Sequence, residues 1–155
     1  MTKEDHIRLI LDECKRQGIV SRNALAYIMA TVQHETANTF TPLDEYGGRN
    51  TRYAPYWGRG YVQLTWKANY QKYSALTGKD LVGQPHLAKD PKTAAFILVH
   101  GFKHGTFTGR KISDYIGDRF CDFTNARRCI NGTDKAVLIA NYAREWVSKI
   151  GRYTV

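Results

Sequence analysis

The sequence predicts one mainly α-helical domain with a small irregular β region. Three observations support this prediction. Apolar residues recur at helical spacing through most of the chain, helix-capping residues precede several of these runs, and one long central segment has no period at all. A chain of 155 residues is long enough to bury a substantial core, and we expect residues 1–155 to form a single domain.

The first two helices are predicted from their caps and their apolar stripes. Thr2, followed three residues later by Asp5, resembles a capping box, and the apolar spacing after it predicts a helix over residues 3–17. Ser21 caps a second helix, whose apolar stripe continues to Glu35. A carboxyl group at the end of a core-facing stripe is expected to be partly desolvated.

The segment over residues 37–62 carries prolines and glycines and has no sustained period. It is predicted to form a loop or a pair of short strands. Long segments of this kind inside a compact domain usually serve a function.

The third helix is predicted to open at Thr65 and to end at Gly78, a residue type that favours the left-handed helix end. Its face carries Trp66 and Tyr70. We expect both of these aromatic side chains to lie in the core.

Two later helices have clear start signals. Asp90-Pro91 combines a capping residue with a proline at the first helical position, and the apolar run behind it predicts a central helix. Thr133 or Asp134 is predicted to cap the last helix, with Leu138 and Trp146 facing inward.

The chain is strongly basic, with 23 Lys and Arg against 14 Asp and Glu, a net charge of +9. This charge fits either a solvated surface or a polyanionic partner, such as an acidic wall polymer. The basic residues are scattered and no nucleic-acid-binding motif accompanies them, so no nucleic-acid partner is expected. No apolar run reaches the roughly 18 residues that span a bilayer and no signal segment is evident, so we expect synthesis in a cytoplasm without stable membrane insertion.

Metal and cofactor chemistry is not predicted. His34-Glu35 begins like a zinc-protease motif, but Asn38 stands where the second histidine belongs. His100 and His104 are four residues apart on a helix, with no third ligand apparent. The three cysteines match neither a zinc pattern nor a disulfide framework, and we expect them to be reduced thiols.

A carboxyl group at the end of the second helix and an acidic pair on the loop after it are the most informative feature. Hydrolysis of a glycosidic bond uses one protonated carboxyl group that donates to the leaving oxygen and a second, ionised one on the other side of the sugar. Glu35 suits the first role, and one of Asp44 and Glu45 suits the second, as the group that activates water. The alternatives are a solvated glutamate at a frayed helix end and an ordinary acidic turn.

Polar and aromatic side chains follow the carboxyl groups. Thr65 and Asn69 are spaced to share a helix face, and Gln63 enters that helix, so the three can hold a water and bind sugar hydroxyl and N-acetyl groups. Thr65 is alternatively a simple helix cap. Aromatic residues that could stack on sugar rings or fill the core crowd the same stretch: Tyr46, Tyr53, Tyr56, Trp57, Tyr61 and Trp66.

These motifs together resemble glycoside hydrolase family 19, the chitinase-related family, and are most similar to its phage endolysin branch. The resemblance extends from about residue 20 to the C-terminus. It implies a lysozyme-like helical fold with a cleft between two lobes, and an inverting mechanism. The blocks that carry it are His34-Glu35-Thr36, Asp44-Glu45, Gly58-Arg59-Gly60 with Gln63-Leu64-Thr65, Asn69-Tyr70 and Asn131-Gly132.

The resemblance also implies roles for individual residues. Glu35 matches the general acid, Glu45 the second carboxylate, and Thr65 the residue that positions the attacking water. The loop after Glu35 is one residue longer than in typical endolysins, which leaves Asp44 as an alternative to Glu45. The residues expected to bind substrate are Gln63, Asn69, Asn131, Tyr61 and Arg59.

The activity that the resemblance implies is hydrolysis of β-1,4 bonds in the glycan strands of peptidoglycan. We expect a monomeric endolysin with no cofactor and no separate wall-binding domain. It is expected to be made in the host cytoplasm and to act in the periplasm, on an anionic envelope, once the membrane is permeabilised. The alternatives are a chitinase of the same fold and a non-catalytic basic module that binds the cell wall.

Overall fold

The computed structural model describes residues 1–153 and is mainly helical, as predicted. None of the helices in this part of the chain is long and apolar enough to cross a bilayer. Shorter 3₁₀ segments lie between the helices at residues 48–50, 85–89, 112–114 and 125–129, and another follows α5 at residues 150–152. The α-helices are α1 (Lys3–Arg16), α2 (Arg22–Glu35), α3 (Lys67–Thr77), α4 (Pro91–His104) and α5 (Ala136–Lys149).

The β structure lies within the central segment that was predicted to be irregular. Strands β1 (Leu43–Asp44) and β2 (Arg59–Gly60) pair antiparallel, with Leu43 opposite Gly60 and Asp44 opposite Arg59. The backbone N–H of Glu45 extends the pairing by donating to the carbonyl of Gly58 at 2.7 Å. This short ladder therefore fixes the acidic pair against the Gly-Arg-Gly stretch.

Helix α2 lies at the centre of the core. Every residue from Ala24 to Val32 is buried, and the helix packs most extensively on α5, while α1 packs on α4. A helix that is apolar on all sides needs neighbours on all sides, so its position is well determined. The C-terminal end of this central helix carries Glu35.

The predicted caps of three helices are present. Asp5 N–H donates to Thr2 Oγ1 at 3.1 Å and Thr2 N–H donates to Asp5 Oδ2 at 2.7 Å, which is the reciprocal pattern of a capping box. Ser21 caps α2 by accepting from the N–H of Ala24. Asp90 caps α4, with Pro91 at the first helical position.

The start of α3 differs from the prediction. The helix begins at Lys67, and its flanking residue Trp66 has a left-handed backbone (φ 75°) and no side-chain cap. Thr65 does not cap the helix, and its hydroxyl instead donates to the carbonyl of Gln63 at 2.8 Å. As a result Trp66 points outward and is 46% exposed, so its predicted core position is wrong, whereas Tyr70 is fully buried as predicted.

The start of α5 also differs. Lys135 precedes the helix with φ of 60°, and neither Thr133 nor Asp134 supplies a side-chain cap. This left-handed start sets the phase of the helix so that Trp146 is buried but Leu138 is 40% exposed. The prediction that Leu138 faces the core is therefore wrong.

Candidate active site

A surface groove of about 370 Å³ brings together most of the polar residues singled out in the sequence. We call it the main groove. Its volume is within the range of about 300–1,000 Å³ that is typical of small-ligand sites. Two separate parts of the chain, residues 45–69 and 107–131, contribute its lining. The predicted site residues among that lining are Glu45, Gln63, Thr65, Asn69 and Asn131.

The Glu45 carboxylate is held from two sides. The hydroxyl of Tyr53 donates to Oε2 at 2.6 Å, a hydrogen bond that raises the pKa of Tyr53, and the N–H of Gly58 approaches Oε1 at 3.4 Å. A Cβ atom at position 58 would lie 2.9 Å from Gln63 Oε1 and 3.2 Å from Glu45 Oε1. Only glycine at this position leaves room for both side chains where they lie.

The three polar side chains after Glu45 are fixed by backbone carbonyls. Gln63 Nε2 donates to the carbonyl of Leu43 at 3.1 Å, Thr65 Oγ1 donates to the carbonyl of Gln63 at 2.8 Å, and Asn69 Nδ2 donates to the carbonyl of Thr65 at 2.9 Å. Since each side chain uses a donor for this purpose, its oxygen lone pairs remain available to accept hydrogen bonds. Gln63 itself has a left-handed backbone, with φ of 59°.

Asp44 has a different environment from its neighbour. Its Oδ1 accepts from Trp57 Nε1 at 3.1 Å, and its Oδ2 lies 2.6 Å from Lys89 Nζ, with Arg59 Nε also within 3.2 Å of the carboxylate. Partial burial alone would raise the pKa of Asp44, but the hydrogen bonds from Lys89 and Trp57 and the nearby positive charges outweigh it and lower the pKa below its ordinary value. Of the acidic pair, only Glu45 lines the main groove.

Glu35 is not one of the described residues that line the main groove. Its side chain is 17% exposed, and its Oε1 accepts from Arg127 Nη1 at 3.0 Å. The buried Arg127 also donates from Nε to the carbonyl of Asp134, and its own carbonyl accepts the N–H groups of Ile130 and Asn131. Glu35 is therefore tied to the wall of the groove that Ile130 and Asn131 form.

The turn that follows α2 has a strained backbone. Ala37, Asn38 and Phe40 have φ values of 50°, 68° and 57°, in the left-handed region that few residues other than glycine adopt. Thr36 locks the turn, because its hydroxyl donates to the carbonyl of Val32 at 2.6 Å and accepts the N–H of Phe40 at 2.9 Å. Strain of this kind often accompanies functional residues, and here it directly follows the helix end at residue 35.

Two predicted substrate-binding residues lie in the interior instead. Tyr61 is fully buried, and its hydroxyl lies 2.5 Å from His6 Nδ1. Arg59 is 5% exposed, and its Nη1 donates to the carbonyl of Pro55 and to the hydroxyl of Tyr70. Neither side chain is positioned to contact a substrate in this structure, because both lie inside the protein and neither lines the main groove.

Some residues of the site were missed by the sequence analysis. Arg127 belongs to no motif, and no local signal could find its contact with Glu35, because 92 residues separate them. Trp66, assigned to the core, instead lines the main groove. Its ring lies 4.9 Å from that of Tyr53, with the guanidinium of Arg52 5.3 Å from the ring.

A second groove, also of about 370 Å³, meets the main groove at Glu45. We call it the side groove. Its lining consists of Asp44, Glu45, Gly47, Gly48, Arg49, Asn50 and Trp57. Glu45 is the residue that lines both grooves, so it stands at their junction.

The histidine pair does not form part of either groove. The rings of His100 and His104 lie 4.4 Å apart, and His100 Nδ1 is 3.1 Å from the hydroxyl of Tyr73. Across residues 1–153, no cluster of three or more His, Cys, Asp or Glu side chains is arranged to hold a metal ion.

Burial raises the pKa of the Cys14 and Cys129 thiols to about 12.

Known proteins with similar sequences are plant chitinases. No protein-family model matches the chain. It is 37% identical over 90 residues to an endochitinase of Arabidopsis thaliana, and 33% identical over 90 residues to a basic endochitinase of Brassica napus. Each alignment covers 50% of this chain but only 34% and 33% of the respective relatives, so the chain matches about a third of their length.

Solved structures with the same fold are bacterial chitinases. Chitinase C from Streptomyces griseus superimposes with a TM-score of 0.68 at 22% identity, covering 94% of this chain and 84% of that one. A bacterial family 19 chitinase superimposes with a TM-score of 0.62 at 19% identity, covering 95% and 85%. The predicted fold class, the lysozyme-like helical fold of these chitinases, is thus confirmed.

Proposed function

We propose that the protein is a glycoside hydrolase that cleaves β-1,4 bonds in the glycan strands of peptidoglycan by an inverting mechanism. One observation carries this proposal: a carboxylate, two amides, a hydroxyl and a further asparagine line a single groove, in a fold whose solved neighbours are chitinases. Such a set supplies a base, a water-positioning group and hydrogen bonds to sugar substituents.

Glu35 is proposed as the general acid. One oxygen of its carboxyl group is anchored by Arg127, while no described residue bonds Oε2. The unanchored oxygen can therefore carry the proton that is transferred to the glycosidic oxygen as the bond to the anomeric carbon breaks.

Glu45 is proposed as the general base. It removes a proton from a water molecule, whose oxygen then forms the new bond to the anomeric carbon on the face opposite the leaving group. The Tyr53 hydroxyl and the Gly58 backbone fix the direction of this carboxylate. Thr65 lines the same groove and has free lone pairs, so its oxygen can accept a hydrogen bond from the other O–H of the water.

The remaining polar residues are proposed to bind the sugar. Asn69 has its Nδ2 engaged with the carbonyl of Thr65 and offers its oxygen to a sugar hydroxyl. Asn131 has its Oδ1 engaged with the N–H of Gly132 and offers its Nδ2 to an N-acetyl carbonyl. Gln63, whose Nε2 is engaged with the carbonyl of Leu43, offers its oxygen as a second acceptor.

Peptidoglycan is preferred as the substrate because the net charge of +9 favours binding to an anionic envelope. In this role the enzyme acts on the wall as an endolysin, after the membrane has been permeabilised. Chitin is the second candidate substrate, because the sequence relatives are named endochitinases.

The test is digestion of purified peptidoglycan and, in parallel, of soluble chitin oligomers. We expect new reducing ends from peptidoglycan, with mass spectrometry identifying the sugar exposed and proton NMR showing the inverted anomer. Glu35→Gln is expected to reduce kcat by at least about 10³-fold while the far-UV circular dichroism stays native, because the amide retains an acceptor for Arg127 but cannot donate the proton.

Two outcomes would contradict the proposal. Near wild-type clearing of permeabilised Gram-negative cells by Glu35→Gln would exclude that residue as the acid. Salt-dependent retention on the wall with no reducing ends from either polymer would indicate a binding module instead of a hydrolase.

A further inference from the structure

We infer that Arg49 forms a subsite for the carboxylates of the peptide that is attached to alternate sugars of peptidoglycan. The inference rests on the proposed function, since it assigns a feature of the substrate to the groove adjoining Glu45. It makes the side groove the part of the protein that distinguishes peptidoglycan from neutral polymers of the same backbone, such as chitin.

The first argument is the free charge of Arg49. The residue is exposed and lines the side groove together with Glu45. It makes no hydrogen bond, ion pair or ring contact with another residue between positions 1 and 153. The other cations near this groove, Lys89 and Arg59, are already paired with Asp44. The charge of Arg49 is thus available to pair with an anionic group of a ligand in the side groove.

The second argument is that the backbone under Arg49 is fixed. Gly47 has a left-handed φ of 72°, and a Cβ atom on Gly48 would lie only 2.4 Å from Cγ of Trp57. The turn is therefore pressed against the indole ring, and Thr51 closes it by donating from Oγ1 to the carbonyl of Gly48 at 2.6 Å. Because the backbone of this turn is already rigid, little further conformational entropy is lost when the Arg49 side chain binds a ligand.

The indole ring is itself held in place. Trp57 Nε1 donates to Asp44 Oδ1 at 3.1 Å, and the guanidinium of Arg59 lies 4.1 Å from the ring centroid. Both partners are tied into the β1–β2 ladder. The position of the Arg49 backbone is consequently determined by the same ladder that positions Glu45.

The third argument is the chemistry of the two polymers. Every sugar of chitin is neutral, so an unpaired arginine beside the cleavage site gains nothing from it. In peptidoglycan, alternate sugars carry a lactyl-linked peptide with free carboxylates. The planar guanidinium group matches a carboxylate with two parallel hydrogen bonds.

The experiment compares Arg49→Gln and Arg49→Lys with Arg119→Gln. Arg119 is exposed, lines neither groove and carries the same charge, so its substitution lowers the net charge equally. We would measure kcat/KM on native peptidoglycan and on the same strands after their carboxyl groups are amidated with methylamine. Binding of a soluble muropeptide would be measured by calorimetry in the Glu35→Gln background, with and without each substitution.

On native strands, Arg49→Gln is expected to lower kcat/KM and muropeptide affinity roughly three- to ten-fold, the effect of a partly exposed ion pair. Arg49→Lys should recover part of the loss, and Arg119→Gln should change either value less than two-fold. On amidated strands the Arg49→Gln and Arg119→Gln variants should differ by less than two-fold.

An equal loss on native and amidated strands would overturn the inference, as would equal effects of Arg49→Gln and Arg119→Gln on muropeptide affinity. Both outcomes leave hydrolysis itself untouched. A wild-type protein that releases reducing ends from neither polymer would instead refute the proposed function, while the calorimetric comparison still decides the role of Arg49.

Discussion

Asp44 and Glu45 are neighbours in sequence, yet their side chains are engaged differently. Asp44 meets Lys89, which is 45 residues away in the chain, and Glu45 meets Tyr53, which is eight residues away. The sequence places both in one acidic pair and leaves either as the second carboxylate. The choice depends on which cations the fold brings near them, and that information is not local.

Substituting each of these acidic residues separates their roles. Glu45→Gln is expected to lower kcat by at least about 10²-fold, because the amide cannot remove the proton from water. Asp44→Asn is expected to retain most of kcat and to lower the stability instead. Parallel rate measurements and urea unfolding of the two variants check this, and a larger loss of kcat in Asp44→Asn would reverse the assignment.

At the scale of elements, the β1–β2 ladder explains the misplaced Arg59. The antiparallel register sets Arg59 directly opposite Asp44, where the charges meet across the ladder. The guanidinium then fills the space between the rings of Trp57 and Tyr70, at 4.1 and 5.7 Å. A two-residue strand leaves too weak an alternation for the sequence to predict this orientation.

The stability of this ladder is expected to depend on pH through Asp44. The pKa of Asp44 is lowered in the folded state relative to 3.8, so its ion pairs stabilise the protein fully above that pH, and the stabilisation is lost as the pH falls through the folded value. The difference in unfolding free energy between wild type and Asp44→Asn should therefore be present at pH 6 and shrink below about pH 4. Urea unfolding at several pH values measures it.

Asp118→Asn is a matched control for that series, since Asp118 is exposed and no hydrogen bond or ion pair within residues 1–153 involves it. Its effect on unfolding should be small at both ends of the pH range. A pH-independent difference between wild type and Asp44→Asn would contradict the expected titration.

Gly58 offers a test of how the loop shapes the groove. Gly58→Ala would set a Cβ atom 2.9 Å from Gln63 Oε1 and 3.2 Å from Glu45 Oε1, so one of these side chains must move. We expect kcat to fall by about ten-fold or more, because small displacements of a catalytic group are costly. Gly151→Ala, whose Cβ atom would meet its nearest neighbour at an ordinary 3.8 Å, should leave kcat unchanged.

Helices with strong local signals were predictable, and elements shaped by distant contacts were not. The capping box at Thr2 and the Asp90-Pro91 start are determined by neighbouring residues, and both are present. Trp66 and Lys135 begin their helices from left-handed backbones, which no residue preference at those positions indicates. Their conformations follow from the packing of the surrounding chain, and the predictions that depended on them were wrong.

At the scale of the whole molecule, the contact between Glu35 and Arg127 joins the central helix to the 125–129 segment. The sequence indicated Glu35 through its motif and the groove residues through theirs. It could not indicate how the fold connects them, because the connecting arginine has no motif of its own. The sequence thus indicated the amides that line the groove, but not the Arg127 contact that connects Glu35 to the groove wall.

Removing this arginine is expected to destabilise the whole domain. Arg127→Gln leaves a partly buried carboxylate without its ion pair and frees the carbonyl of Asp134, at a cost of about 2–4 kcal/mol of unfolding free energy. Arg128→Gln, at the exposed neighbouring position, should cost less than about 0.5 kcal/mol. Chemical unfolding of both variants measures the difference, and equal costs would show that the pair contributes little to folding.

The junction of the two grooves at Glu45 has a consequence for the products. On the proposed function, a polymer that occupied both grooves would have sugar units on either side of the severed linkage, so scission would take place in the interior of the strand. Early digestion would then yield long fragments and a rapid fall in viscosity, well before monomers and dimers accumulate.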